Sequence, residues 1–340
     1  MKYITQICKN FTKGGAELLF QKISSDALFQ GDIRFRQSIC LDKNQFDPEF
    51  ARSFRHPVCV GNFDRIKEAI DQNDIILFWG DLKLNESNLP KPKICIVYSC
   101  TEDPLIIQNN SNYITHAITT SKKTASITCN NVNHIISYPR IDHKKLQTNI
   151  DRQKFREKLG LKNTDFVLGM IARIGDTKRQ RWLIDAILRI KDDSVKAIFV
   201  GEGNNRKYLQ SVSYPHGIFV GHQDNVGDWY QVFDAYCILS RNEGGPLTLF
   251  ESFYMNVPVI HTQVGITEEL CNCTNSFLVK DKEELVNVIN HVRKIDKTAL
   301  KLYTDNAYQV YERHGKIEDA ISEWYNYFKT IVTQNTKNLL

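Results

Sequence analysis

The chain has 340 residues, 42% of them hydrophobic and 24% charged, and 44 Lys and Arg against 39 Asp and Glu give a net charge of +5. That length is large for one core and comfortable for two, so two soluble domains are expected. No apolar run approaches the roughly 20 residues of a membrane helix, and bases interleaved with acids argue against a dedicated nucleic-acid protein.

The segment up to Lys145 holds 19 Lys and Arg against 15 Asp and Glu. This bias suits peripheral contact with an anionic membrane surface, or an anionic acceptor. The first residues, "MKYITQICKN", run directly into a strand pattern without a signal-peptide profile, so a cytoplasmic location is expected. Nine cysteines form no CxxC pair, and Cys8, Cys40, Cys59, Cys95 and Cys237 sit inside apolar runs. They read as reduced core thiols, and the close pair Cys271 and Cys273 lacks the second ligand pair of a metal site.

Strand-like apolar runs recur along the chain: "YITQIC", "PVCV", "DIILFW" and "KICIVYS" in the first half. The second half supplies "FVLGMIA", "KAIFVG", "GIFVG", "AYCILS", "PVIHT" and "FLVK". Helix-like stretches separate most of them, and that alternation indicates parallel sheets built from βαβ units, enough for two. Between them "SYPRIDHKKLQTNIDRQ" turns polar, placing a boundary near residues 140–150, and an amphipathic helix follows that ends near Gly160. Near the C-terminus, "KIEDAISEWYNYFKTIVTQ" spaces Ile317, Ala320, Ile321, Trp324, Tyr325, Phe328 and Ile331 along one helical face.

Two segments of the second half carry chemistry. In "GMIARIGDTKRQRWLIDAI", Arg173 ends a strand and Lys178 follows just before a helix, where ligands lie in open α/β sheets. In "RNEGGPLTLFESF", Glu243 and Glu251 bracket a Gly-Gly-Pro turn and the start of a helix. Pro246 suits the first helical position, and Gly244 and Gly245 leave bare amides at the positive end of the helix dipole. Two cations facing that helix start would clamp a diphosphate.

These residues resemble the retaining glycosyltransferases of family 4, which have the GT-B fold. The family's Glu, seven residues, Glu motif corresponds to Glu243 and Glu251, and its Arg and Lys five apart correspond to Arg173 and Lys178. "VGEG" with Gly201 and Gly203, "FVGHQDNV", "QVGITEEL" and the glycine loop "KGGAELLF" occur in the family's order. The resemblance implies an α/β GT-B architecture: two Rossmann-like, doubly wound parallel-sheet domains facing a central cleft. Residues 1–145 would bind the acceptor, 146–316 the nucleotide-sugar donor, and a last helix at about 317–335 would cross back to the first domain.

By the same resemblance, Arg173 and Lys178 hold and stabilise the leaving diphosphate, and Glu243 contacts the transferred sugar. Glu251 accepts from the ribose hydroxyls; Gly14, Gly15, Gly244, Gly245, Pro246, Leu247 and Thr248 complete the donor site. His222 and Val226 stand in the loop that would meet the nucleotide base. The implied reaction moves a hexose-type sugar from a UDP-sugar, or a GDP-sugar, to a glycan or lipid-linked acceptor, with retention and no cofactor. No Asp-x-Asp motif is present, which fits cations and a helix dipole in place of a divalent metal.

The chain departs from the family where a first-domain strand usually ends in His, since "KICIVYSCTED" offers Tyr98, Ser99 or Glu102 instead. Tyr98 or Ser99 is expected to meet the sugar there, while His116 and His134 read as structural. A dinucleotide oxidoreductase is disfavoured because "FVGEGNNRKY" has Arg206 where the third glycine of the fingerprint belongs. A nucleotide-sugar epimerase and a non-catalytic nucleotide-sugar-binding subunit of the same fold are the alternative readings.

Overall fold

The computed structural model describes residues 1–12, 14–72, 75–80, 82–129 and 132–337. The chain divides into two units, Met1–Arg140 with Ile317–Leu340, and Ile141–Lys316. The break falls between Arg140 and Ile141.

Unit 1 is built on seven strands: β1 (Lys2–Cys8), β2 (Ile33–Cys40), β3 (Val58–Val60), β4 (Ile75–Trp79), β5 (Ile94–Ser99), β6 (His116–Thr119) and β7 (Asn133–Ile136). They lie in the order β3-β2-β1-β4-β5-β6-β7, every neighbour parallel. Unit 2 has six: β8 (Phe166–Ile171), β9 (Val195–Val200), β10 (Gly217–Gly221), β11 (Ala235–Ile238), β12 (Val259–His261) and β13 (Phe277–Leu278). Their order is β10-β9-β8-β11-β12-β13, again all parallel.

Parallel neighbours need crossovers, and helices on both faces bury the central strands. This is why β4 and β5 are entirely buried and read as unbroken apolar runs. The strand order reverses between β1 and β4 in one sheet and between β8 and β11 in the other. In doubly wound sheets the crevice at such a reversal, outside the carboxyl ends of the strands, is where ligands bind. Eight of the nine cysteines are buried or partly buried and all are free thiols, with Cys273 alone exposed.

The chain returns to unit 1 for its last helix, Ile317–Lys337. Ile317, Ala320, Ile321, Trp324, Phe328 and Ile331 are all buried in the same core as Phe20, Phe29, Tyr98 and Ile118. Trp324 meets Phe20 edge-on at 5.3 Å between ring centres, and its indole N–H donates to the Ser137 hydroxyl at 3.1 Å. Arg140, itself buried, pairs with Glu323 on the outer flank of the helix at 2.6 Å.

Replacing a fully buried tryptophan leaves a cavity that the sheet cannot close. Trp324→Ala should therefore destabilise unit 1 by about 3–5 kcal/mol. Urea unfolding followed by near-ultraviolet dichroism reads the loss, and a midpoint equal to wild type would mean the helix is dispensable to this core.

Candidate active site

The site grows from the place where β8 and β11 part. These two strands pair over only Ala235↔Leu168 and Tyr236↔Gly169. Beyond that the Tyr236 hydroxyl bridges the gap: it accepts from the Ile171 N–H and donates to the Ile171 carbonyl, each at 3.0 Å. A side chain thus replaces the missing ladder bonds, and the two strand ends diverge with their backbone groups satisfied.

From the end of β8 the chain runs through Arg173 to Lys178. Two contacts set this loop. Gly201 and Gly203, after β9, pass so close that a Cβ at Gly201 would sit 2.1 Å from the Ala172 carbonyl oxygen. A Cβ at Gly203 would lie 1.9 Å from that of Ile174. The Ile174 N–H donates to the Glu202 carbonyl at 2.8 Å, so only glycines at both positions allow this seam. On the other side buried Gln180 donates to the Arg173 carbonyl at 3.0 Å and accepts from the Gly175 N–H at 3.2 Å. The Arg173 side chain is thereby left exposed at the strand end.

From the end of β11 come Ser240 and Glu243. The Glu243 carboxylate is ion-paired with Lys178 and accepts from the Ser240 hydroxyl at 2.8 Å. Gly265, at φ +48, lets the following segment cross this turn, since a Cβ there would stand 2.3 Å from the Glu243 carbonyl oxygen and 2.2 Å from that of Gly244. The helix begins at Leu247, with Pro246 extended at the cap, one residue later than the sequence suggests. Leu247 and Thr248 therefore occupy its first turn, where amides have no partner within the helix.

Glu251 lies on that helix, Leu247–Tyr254. It accepts from the Tyr230 hydroxyl at 2.9 Å, and Tyr230 is packed 5.3 Å from the Tyr236 ring. Burial of the carboxyl raises its pKa to about 7, against the smaller opposing effect of the Tyr230 bond. Tyr230 comes from the helix Val226–Val232, which Val226 opens. His222 precedes that helix on an exposed turn, 3.7 Å from Asp224.

Unit 2 thus brings together Lys178, Glu243, Gly244, Gly245, Pro246, Leu247, Thr248 and Glu251, with Arg173 on the adjoining strand end. Residues without a sequence signal hold them in place: Gln180, Tyr230, Tyr236 and Ser240. Asp234, just before β11, is similar, since it binds Arg156 and the Val167 amide and so ties the N-terminal edge of β8 to β11.

The candidates of unit 1 fare differently. Gly14 caps and Gly15 opens the helix Gly15–Ser24 at the end of β1. Tyr98 is 1% exposed and its ring lies 5.1 Å from Phe20 and 5.4 Å from Trp324, so it fills the core and is withdrawn from any sugar. Ser99, fully buried, donates to Thr128 at 3.1 Å and is equally withdrawn.

Residues 165–294 match the family of glycosyl transferases group 1. The lipopolysaccharide core biosynthesis mannosyltransferase LpsB of Rhizobium meliloti is 28% identical over 166 residues, 45% of this chain and 46% of that one. The Vi polysaccharide biosynthesis protein VipC/TviE of Salmonella typhi is 29% identical over 152 residues, 43% of this chain and 26% of that one. The match spans less than half the length of these curated relatives. Over the whole chain, the fold is similar to that of Anabaena HepE in complex with UDP-glucose, with a TM-score of 0.81, 17% identity, and coverage of 97% of this chain and 100% of HepE. The family match lies wholly within unit 2, and the fold of the two parallel-sheet units is of the GT-B type.

The Glu251 carboxyl gives a test of the site's electrostatics. A carboxyl whose folded pKa is raised to about 7 binds a proton in the native state that the unfolded chain releases at lower pH. Its favourable contribution is complete below the ordinary glutamate range and disappears as pH rises through about 7. Glu251→Gln, which removes the titration and can still accept from Tyr230, should melt above wild type at pH 8 and lose that advantage by pH 5. Scanning calorimetry at both values decides, and a difference independent of pH would mean that the carboxyl titrates normally.

Proposed function

We propose that this protein is a retaining, metal-independent glycosyltransferase. It moves a hexose-type sugar from a nucleotide diphosphate sugar, a UDP-sugar foremost, to a glycan or lipid-linked acceptor in surface polysaccharide or glycoconjugate assembly. The observation that carries this reading is the Lys178–Glu243 pair and the start of the Leu247–Tyr254 helix, placed together where β8 and β11 diverge. The group 1 match over residues 165–294 supports transfer, and HepE, solved with UDP-glucose, supports a uridine donor. LpsB and VipC/TviE, named for lipopolysaccharide core and Vi polysaccharide biosynthesis, support a polysaccharide product. No helix among the described residues is long and apolar enough to cross a membrane, and the basic bias of the segment up to Lys145 suits peripheral contact with an anionic surface.

In this mechanism the donor diphosphate takes Lys178 from Glu243 and lies against Arg173 and the helix amides, because phosphate oxygens compete well for an ammonium. Breaking the anomeric bond loads negative charge onto the diphosphate, so those groups bind the transition state more strongly than the ground state. Glu243, freed from Lys178, accepts from the sugar hydroxyls and faces the developing positive charge. Glu251 in its ionised form accepts from the ribose hydroxyls, with Tyr230 holding its second oxygen.

Because fixed cations and a helix dipole carry the leaving-group charge, EDTA should leave sugar transfer intact. Activity lost to EDTA and restored by Mn²⁺ or Mg²⁺ would replace this mechanism with a metal-assisted one.

The two glutamates separate in kinetics. Glu251→Gln weakens a bond present in ground and transition states alike and should raise the donor KM by about one to two decades with kcat retained. Glu243→Gln touches the centre that changes charge and should lower kcat more than donor affinity. Steady-state kinetics with UDP affinity from calorimetry distinguishes them. Wild-type behaviour of both variants would place the donor site elsewhere.

A further inference from the structure

A cavity of about 410 Å³ is lined by Gly175, Asp176 and Arg179 of the loop after β8, while the paired Lys178 and Glu243 do not line it. Its wall is cationic: Arg179, Arg181, Arg241 and Lys282 line it with the rings of Trp182 and Tyr208. Two carboxylates face these four cations. Asp185 is taken by Arg181 at 2.7 Å and Lys282 at 2.7 Å, and Asp176 accepts from the Asn205 amide at 2.9 Å.

Arg179 and Arg241 are left over. Neither has a carboxylate partner among the described residues. They are nevertheless held together, since the Arg241 N–H donates to the Thr177 carbonyl at 2.8 Å and so ties its backbone to the loop that carries Arg179. Arg179 occupies the left-handed region at φ 56, unusual for a side chain of this size, and its guanidinium lies 4.1 Å from the centre of the Trp182 ring. Burial and then the neighbouring Arg241 charge lower its pKa from the ordinary arginine value. Two guanidinium groups without a carboxylate partner, lining one cavity, repel each other unless an anion lies between them.

We propose that this cavity is a second anion site of unit 2, which binds a phosphate or diphosphate group of a soluble ligand at Arg179 and Arg241 while the first site holds its own. Guanidinium forks match phosphate oxygens in pairs, and Lys282 and Arg181, only partly neutralised by Asp185, reinforce the field. Tyr208, exposed at the rim with its hydroxyl 2.6 Å from Arg181, offers a flat wall to whatever the phosphate is attached to. The two sites share one loop. Lys178 faces the first and Arg179 the second, so occupancy of the cavity would stiffen the segment that carries Lys178.

Inorganic pyrophosphate is the probe, followed on the full chain through the nitrogen-15 indole resonances of its four tryptophans. With UDP saturating, pyrophosphate should still shift the Trp182 resonance, assigned with Trp182→Phe, and leave those of Trp79 and Trp324 in place. The Arg179→Gln, Arg241→Gln double variant should weaken that binding at least about tenfold, the cost of two lost charge-assisted contacts. Pyrophosphate that no longer shifts Trp182 once UDP is bound, or that binds the double variant as tightly as wild type, overturns the proposal. Phosphatidylglycerol vesicles form the second arm: no shift of Trp182 supports a soluble ligand, and a shift at equal phosphate concentration overturns that assignment. A chain that ignores UDP but answers pyrophosphate at Trp182 would keep this site and lose the proposed transfer, so the two readings fail separately.

Discussion

The short pairing of β8 and β11 governs the rest of unit 2. Two residue pairs hold these strands together, and past them a tyrosine hydroxyl serves both backbone groups of Ile171. A longer ladder would have continued the sheet and closed the crevice. A gap without Tyr236 would have left a partly buried N–H and carbonyl without these partners, at a cost of up to about 1–3 kcal/mol each. With the gap open and satisfied, the segments after β8 and β11 can face one another, and Lys178 can reach Glu243. The glycine seam of Gly201 and Gly203 and the clamp of Gln180 then fix one side, and Gly265 fixes the other.

Unit 2 was readable because its physics is local. All six of its strands are apolar runs bounded by polar residues, and the two chemical segments directly follow two of them. Unit 1 was harder: β2, β6 and β7 give no continuous run. "IRFRQSIC" alternates exposed and buried positions over its first half, and β6 and β7 are four residues each. Their pairing is decided by β1 and β5 beside them, through contacts that no window of sequence contains.

The same reasoning explains the misplacement of Tyr98 and Ser99. At the end of an apolar strand a polar side chain reads as a ligand contact, but here the terminal helix arrives from more than 200 residues away and places Trp324 against the Tyr98 ring. Gln180 and Tyr230 failed to register for the opposite reason. Each acts through hydrogen bonds to groups fixed elsewhere, two for Gln180 and one for Tyr230, and a glutamine in "KRQRW" or a tyrosine in "DWYQV" carries no spacing that marks it.

The two glutamates share a motif yet occupy opposite electrostatic conditions. Glu243 stands beside an ammonium and a hydroxyl, and its carboxylate is already matched with a cation. Among the described residues Glu251 has a tyrosine hydroxyl and no cation beside it, and burial lifts it to about 7. A carboxylate of the first kind can exchange its partner for another charged or polar group at little cost, because its solvation is already supplied by the protein. One of the second kind is stabilised as an anion only when further donors arrive, and vicinal hydroxyls are the donors that fit a two-oxygen acceptor. Their difference in environment, set by which strand end each one follows, therefore assigns the exchangeable role to Glu243 and the hydroxyl-binding role to Glu251.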